Sequence, residues 1–471
     1  MKPRLIENIC TTIWLALAML LSLLPATANG QRPWTLDECM DYAIAHNSEM
    51  AHRLNEQKRR EAAAQALKDA RLPRFSGDIG GYAGTLHHSD DHNKFDATES
   101  LFSLGLTGAV PLYTGGRLSS QIKAGQYSLL AAAEDVRTAE KNLRVQVAAA
   151  YLQALYNKGE VTIAHERLQV SQLLLERARS LFGRGKRPES DTVEAAAIVS
   201  RDEALLTAAE GDFTLSKLDL KQLLNMPDSI EFEVYEPTDS VDVILIHSND
   251  YYTQTSPHHP AVLSAHYSIL QAEQGVAAAR SGYHPTLSLF GELGTHWVNL
   301  DTEASRSGQV PLLIPWGPLG SLNYNLSGES SWKRKNFLFG VVGLKLSLPI
   351  FDAFETKARI RTAKINLEDA KLAHDNALLR IQKDISQAWQ GAVTARKRYE
   401  AEIKAEESSA LAYRYVLKRY DAGMVTLFDL SQSRQQWFTA SENALRMKFE
   451  YLIRKKILDI ETQFVTQDAK K

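Results

Sequence analysis

The chain of 471 residues contains an internal duplication, and this feature constrains its fold more than any other. Residues 110–113 (VPLY) match residues 348–351 (LPIF) at an offset of 348 − 110 = 238. Residues 181–193 match residues 419–431 at the same offset, because 419 − 181 = 238. Self-similarity at a fixed offset indicates a repeated unit. Both halves are therefore predicted to share one order of elements: helix, strand pair, very long helix, turn and helix.

A second offset locates an insertion in the second half. Residues 70–73 match residues 282–285 at an offset of 282 − 70 = 212. The second half therefore has 238 − 212 = 26 additional residues between its Pro285 and its Pro349. The residues around 300–335 include Trp, Pro and Gly, and we expect them to form a long loop.

Two intervals are free of proline, from Pro111 to Pro188 and from Pro349 to the last residue. Both are rich in Ala, Leu, Glu, Lys, Gln and Arg, which are good helix formers. Helices of roughly 65 residues would extend about 100 Å at 1.5 Å per residue. A compact globular domain has no room for such helices, so they must pack along one another as a bundle or coiled coil.

Four segments alternate apolar and polar residues with a period of two, which is the pattern of a strand with one apolar face. They lie at about residues 74–86, 100–111, 285–298 and 336–349. Their lengths are typical of strands in an outer-membrane β-barrel. The alternative is a soluble sheet with one face on a core, but the helical regions have no broad apolar surface to cover it.

The first 28 residues have the features of a signal peptide. A basic start precedes an apolar run over residues 13–24, and Pro25-Ala26-Thr27-Ala28 supplies small residues for cleavage. The alternative, a membrane anchor, needs roughly 20 apolar residues, and this run is shorter. Cys10 would leave with the signal peptide, so that Cys39 remains alone and the exported chain has no internal disulfide.

Composition excludes several functional classes. Lys plus Arg is 54 and Asp plus Glu is 56, which gives a net charge of −2 and no basic excess for binding nucleic acid. The two cysteines exclude a disulfide scaffold and a cysteine-rich zinc site. No catalytic motif has supporting context, so the sequence predicts neither an enzyme nor a cofactor.

Four strands are too few to close a barrel, since about eight is the practical minimum. Every strand edge must find a partner in lipid, so several chains would have to contribute to one barrel. Two chains would supply eight strands and a filled interior, whereas three would supply twelve and leave a water-filled lumen. The strands and long helices thus indicate an oligomeric export conduit. The competing class is a non-transporting coiled-coil structural protein that is anchored in the envelope by its strands.

Three short motifs carry a resemblance to a known family: Trp34-Thr35-Leu36 followed by Ala43 and Asn47, the turn PLYTGGR at residues 111–117, and RYDAG at residues 419–423 followed by Asp429. In their order and twofold repetition, from Trp34 to about Ile460, they resemble the TolC family of outer-membrane efflux proteins.

The resemblance implies an α+β, mostly α fold. Three copies would form a twelve-stranded outer-membrane β-barrel and an α-helical barrel in the periplasm. It also implies an exit channel of a tripartite efflux or type I secretion system. Such a homotrimer would conduct substrate passively and dock to a periplasmic adaptor and an inner-membrane pump.

The same resemblance assigns functional residues. The family's constricting residues at the periplasmic entrance map onto Asp191, Tyr420 and Asp429. Some members also have an arginine two residues after the second turn glycine and another aspartate three residues after the one that maps onto Asp429. This chain has Val425 and Gln432 at those positions, so its gate is either looser or held by other contacts.

The adaptor-docking turns map onto Gly183, Gly185 and Gly423. The residues themselves also allow structural roles. Glycines at turns supply positive φ angles. Asp191 and Asp429 lie at predicted helix starts, where a carboxylate caps free N–H groups, and Thr426 to Asp429 fits a capping box.

Two further groups of residues have weaker assignments. A cluster at a predicted hairpin tip has a composition that allows metal binding, although no spacing defines a geometry: His87, His88, Asp90, Asp91 and His92. A set of aromatic residues near strand ends suits either an interfacial girdle or simple packing: Tyr82, Trp297, Trp316, Trp332 and Phe337.

The duplication also predicts the domain boundaries. The first repeat covers residues 29–225 and the second covers residues 258–460, with a linker or equatorial region at 226–257 and a tail at 461–471. A short strand is predicted at residues 231–235 within the linker. The sequence contains nothing that identifies the cargo.

Overall fold

The computed structural model describes residues 33–90, 93–227, 230, 232–235, 258–304, 310–316, 320–326 and 333–462. The signal peptide and the tail beyond Thr462 lie outside these residues. The helices are α1 (Leu36–His46), α2 (Ser48–Asp69), α3 (Arg117–Gly183), α4 (Glu189–Leu224), α5 (Pro260–Arg280), α6 (Glu355–Asp421) and α7 (Leu427–Thr462). The strands are β1 (Arg74–Asp90), β2 (Asn93–Tyr113), β3 (Thr286–Ala304), β4 (Val310–Trp316), β5 (Gly320–Leu326) and β6 (Lys333–Ser347).

The helices confirm the predicted repeat. Helices α3 and α6 each have 67 residues, and their first residues are 355 − 117 = 238 positions apart. Helices α4 and α7 each have 36 residues and begin 427 − 189 = 238 positions apart. The absence of proline within these segments allows an uninterrupted ladder of backbone hydrogen bonds.

The chain divides into two compact units, and the first contains residues up to 54, 136–259 and from 379 onward. Its core is built from small and apolar side chains of α1, α3, α4 and α7, among them Met40, Ala43, Val147, Ala148, Ala154, Leu220, Leu224 and Phe449. Cys39 is a free cysteine in this core, and burial raises the pKa of its thiol to about 12.

The predicted strand at residues 231–235 is wrong within the described part of that segment. Val234 forms a single parallel bridge with Trp34, and the hydroxyl of Tyr151 lies 2.8 Å from the carbonyl oxygen of Trp34 and 2.6 Å from that of Tyr235. These contacts hold the segment against α3 without a strand ladder.

The second unit contains residues 55–135 and 260–378. Its main sheet has four antiparallel strands in the order β1-β2-β3-β6, which confirms the predicted number of strands for this sheet. The observed strands β1, β2 and β3 are longer than predicted, because the alternating pairing continues into the connections.

The predicted long loop around residues 300–335 is wrong. Strands β3 and β6 extend into this region, and β4 and β5 pair antiparallel within it as a separate two-stranded sheet, from Val310↔Leu326 to Trp316↔Gly320. The apolar run of β4 contains two prolines, which obscured its strand character.

Alternation in the main sheet separates two faces. One face exposes apolar side chains, including Phe75, Ile79, Leu106, Leu293 and Val342. The opposite face has polar side chains, including Ser76, Asp78, Thr107, Glu292 and Lys345. The hydroxyl groups of Ser76 and Thr107 lie 2.6 Å apart across the β1–β2 pair.

None of the helices in the described ranges combines the length and the apolar character that a bilayer crossing requires.

The turn between β2 and α3 offers a matched test of local packing. Gly115 and Gly116 both have positive φ, at 65° and 87°. A Cβ atom on Gly115 would lie 2.9 Å from the carbonyl oxygen of Ser281 and 2.7 Å from the Cβ atom of His284, whereas nothing lies within 4 Å of one on Gly116.

We therefore expect Gly115→Ala to lower the free energy of unfolding by roughly 1–3 kcal/mol more than Gly116→Ala, because only the first adds overpacking to the left-handed strain. Chemical denaturation of both variants in detergent measures the difference. Equal losses would show that the contact at Gly115 relaxes freely.

Candidate functional site

The turn between α3 and α4 ends the first long helix with a Schellman motif. The N–H of Gly185 donates to the carbonyl of Phe182 (2.8 Å), and the N–H of Lys186 donates to that of Leu181 (3.0 Å). Gly185 has a φ of 68°, which glycine adopts without steric cost. Gly183 is the last helical residue and is absent from the positive-φ residues, so the expectation that it supplies a positive φ is wrong.

The turn between α6 and α7 repeats this geometry at the 238-residue offset. The N–H of Gly423 donates to the carbonyl of Tyr420 (2.9 Å), and the N–H of Met424 donates to that of Arg419 (2.9 Å). Gly423 has a φ of 81°. The two turns are thus structurally equivalent, as the duplication predicted.

The helices that follow the turns begin differently. At the start of α7, the Thr426 N–H and hydroxyl both donate to Asp429 Oδ2 (2.9 and 2.7 Å), and the Asp429 N–H donates back to Thr426 Oγ1 (3.1 Å). This confirms the capping box. The bonds from Thr426 lower the pKa of the exposed Asp429, so its carboxylate stays charged at pH values below those at which an aspartate usually titrates.

Helix α4 begins after Pro188, which makes no side-chain capping bond. The expectation that Asp191 caps this helix is therefore wrong. Asp191 is an acidic residue in the first turn of α4, but its carboxylate accepts a hydrogen bond from the distant Tyr420.

Tyr420 is fully buried between the turns, in a cluster with Leu174, Ala178, Leu427 and Leu430. Its hydroxyl donates to Asp191 Oδ2 at 3.2 Å. Burial, followed by the neighbouring Asp191 charge, raises the pKa of Tyr420 to about 12. The phenol therefore stays protonated at physiological pH and remains a hydrogen-bond donor.

Arg187 joins the two turns, and sequence reasoning missed this role. Its guanidinium carbon lies 4.5 Å from the centre of the Tyr420 ring. One of its nitrogens, Nη2, donates to the carbonyl oxygens of Tyr420 (3.1 Å) and Val425 (2.6 Å). The signal in the sequence was its position two residues after Gly185, because some members of the family that the chain resembles have an arginine two residues after the other turn glycine.

The structure therefore joins two of the three predicted gate residues. Asp191 and Tyr420 are hydrogen-bonded, whereas the carboxylate of Asp429 accepts hydrogen bonds from Thr426. Val425 contributes its backbone carbonyl to the contact with Arg187.

A buried ionic cluster lies along the same helices. Asp202 of α4 is 1% exposed and accepts a hydrogen bond from Arg434 of α7 at 2.6 Å. Arg167 of α3 lies 3.3 Å from the same carboxylate and donates to Glu442 at 2.8 Å. Three helices are thus joined through one carboxylate.

The weaker candidates fall largely outside the described side chains. His87 and His88 belong to β1, which continues to Asp90, whereas Asp91 and His92 lie outside the described residues. Of the aromatic set, Trp297 is described; it is 36% exposed and its ring lies 5.2 Å from that of Phe102.

Two long helical hairpins with equivalent turns, and a four-stranded antiparallel sheet with one exposed apolar face, define a class of outer-membrane channel proteins with helical extensions. The chain belongs to the outer membrane efflux protein family, whose sequence model matches residues 40–226 and 252–458. This confirms the resemblance to TolC-like proteins and places the chain in the outer membrane.

Individual relatives agree with this assignment. The chain is 22% identical to the outer membrane efflux protein BepC of Brucella suis over 320 residues, which cover 68% of this chain and 62% of that protein. It is 20% identical to the cation efflux system protein CusC of Escherichia coli over 414 residues, 86% of this chain and 81% of that one. The CmeC outer membrane channel of Campylobacter jejuni superposes with a TM-score of 0.70 at 18% identity, covering 92% of this chain and 88% of that structure.

Proposed function

We propose that this protein is the outer-membrane exit channel of a tripartite efflux or type I secretion system. It conducts substrate passively from a periplasmic adaptor and an inner-membrane pump to the exterior. The observation that carries the proposal is the four-stranded sheet with β1 and β6 as its outer strands and an exposed apolar face. Such a face suits lipid, and the outer strands require partners there.

Three copies satisfy this requirement. If β6 of one copy pairs with β1 of the next, three sheets close a twelve-stranded barrel with the apolar face outward. The polar face, with Asp78, Glu292 and Lys345, then lines a lumen wide enough for water. Membership of the outer membrane efflux protein family supports a lipid-facing barrel, because it places the chain in the outer membrane.

The paired helix turns are the proposed periplasmic gate. Asp191, Tyr420 and Asp429 surround the ends of the long helices, and the hydrogen bond from Tyr420 to Asp191 ties the first hairpin to the second. The turns at Gly183, Gly185 and Gly423 are the proposed docking surface for the adaptor.

Purified full-length protein in planar bilayers tests the channel. We expect a trimer that conducts ions in discrete steps, with low conductance in the resting state. A trimer that inserts but never conducts would instead favour the structural-protein alternative. A protein that stays monomeric and soluble without detergent would contradict both the barrel and the channel.

A further inference from the structure

We propose that Arg187 is the latch that holds this gate closed, by joining the two helix turns within each chain. This inference rests on the proposed function, because a latch between the turns regulates transport only if the turns gate a channel.

The geometry shows one side chain bridging two segments that are distant in sequence. Arg187 lies in the turn before α4, and its partners Tyr420 and Val425 lie 233 and 238 positions later. The guanidinium makes two hydrogen bonds to carbonyl oxygens and also covers the Tyr420 ring. A planar guanidinium suits this combination of donation and stacking, whereas an ammonium group is a point charge that cannot reproduce it.

Arg187 also supports the other contact in the gate. Its guanidinium packs on one side of the Tyr420 ring, and the hydroxyl of the same ring donates to Asp191. Tyr420 is therefore held at its ring, its backbone carbonyl and its hydroxyl by residues of the first turn and the start of α4. Loss of the guanidinium would release the ring of Tyr420 and weaken the hydrogen bond from its hydroxyl to Asp191.

The duplication shows that the latch is one-sided. Arg187 and Val425 occupy equivalent positions in the two repeats, because 187 + 238 = 425. Val425 is aliphatic, and it contributes its backbone carbonyl oxygen to the contact with Arg187. The first turn thus supplies the charged group that Val425 lacks, and it does so within one chain. Opening then requires the two hairpins of each copy to separate.

The test compares Arg187→Ala, Arg187→Lys and Arg184→Ala in full-length trimers in planar bilayers. Arg184 is an exposed arginine of the same turn and therefore a matched control for charge. We expect Arg187→Ala to raise the open fraction about tenfold or more, the effect of losing a charged hydrogen bond. Arg187→Lys should also open more often at unchanged ion selectivity, and Arg184→Ala should behave as the wild type.

Hydrogen exchange supplies a readout that does not depend on conduction. Amides of residues 419–430 should exchange faster in Arg187→Ala trimers but not in Arg184→Ala trimers. Wild-type exchange and gating in Arg187→Ala, or wild-type gating in Arg187→Lys, would overturn the latch. A wild-type protein that does not conduct would overturn the proposed function, whereas a conducting wild type with unchanged Arg187→Ala gating would overturn the latch alone.

Discussion

Replacing Asp202 with alanine is expected to lower the free energy of unfolding of the helical unit by about 3–5 kcal/mol, the usual cost of leaving a buried charge unpaired. The Asp202 side chain is 1% exposed, and those of Arg434 and Arg167 are 5% and 7% exposed. Removing the carboxylate leaves two buried guanidinium groups that both lie over the ring of Phe438. Arg167 keeps its ion pair with Glu442, whereas Arg434 loses the carboxylate of Asp202.

Guanidinium chloride unfolding in detergent, followed by circular dichroism, measures this loss. Asp219→Ala removes an exposed carboxylate from the same helix and should change stability by no more than about 0.5 kcal/mol. Asp202→Asn keeps a hydrogen-bond acceptor for Arg434, so its loss of stability should lie between those of Asp202→Ala and Asp219→Ala. If Asp202→Ala matched Asp219→Ala, the ionic cluster would contribute nothing to the packing of the three helices.

Removing both gate carboxylates is expected to produce the largest change in transport. We expect Asp191→Ala combined with Asp429→Ala to raise single-channel conductance and to abolish block by multivalent cations. Carboxylates repeated around a narrow aperture attract and hold such cations, and they also contribute the contacts that keep the aperture narrow. Unchanged single-channel traces and unchanged block would contradict the gate.

Isosteric variants separate charge from structure in the same experiment. Asparagine at both positions keeps an acceptor for Thr426 and for Tyr420. Block by multivalent cations should therefore disappear, while the resting conductance rises less than in the double alanine variant. Glu194 is an exposed carboxylate near the start of α4, and Glu194→Ala should leave conductance and cation block unchanged.

The pH dependence of block has a defined sign. The bonds from Thr426 lower the pKa of Asp429, so its charged form is favoured and is lost only when the pH falls through that lowered pKa. Block should therefore persist below an ordinary aspartate pKa of about 4. Thr426→Val removes the hydroxyl bond, and the pH at which block is lost should move upward. A midpoint that stays in place would show that Asp429 does not bind the blocking ion.

Local features explain why much of the fold was predictable. The long helices follow from proline-free segments of strong helix formers, and their equal lengths follow from the duplication. The strands follow from alternation, although their ends were missed because pairing extends beyond the regular pattern. The β4–β5 hairpin was missed because its apolar run contains prolines and its pairing depends on a partner strand.

In the candidate site, too, contacts between neighbours in the chain were predictable and contacts between distant residues were not. The capping box of Thr426 and Asp429 spans four residues and was predictable, because its donors and acceptors are neighbours in the chain. Asp191 was misassigned as a cap because the first turn of a helix is where local chemistry favours carboxylates. Its actual partner, Tyr420, is 229 residues away.

The sequence by itself determined the repeated order of helices and strands, the two glycine turns at Gly185 and Gly423, and the family to which the chain belongs. The tertiary structure alone decided that Arg187 rests on Tyr420 and that Asp202 joins three helices. The physical reason is that such contacts join residues more than 200 positions apart, or on different helices, and depend on how whole helices pack. Local patterns specify the conformation of a segment but not the neighbour against which it packs.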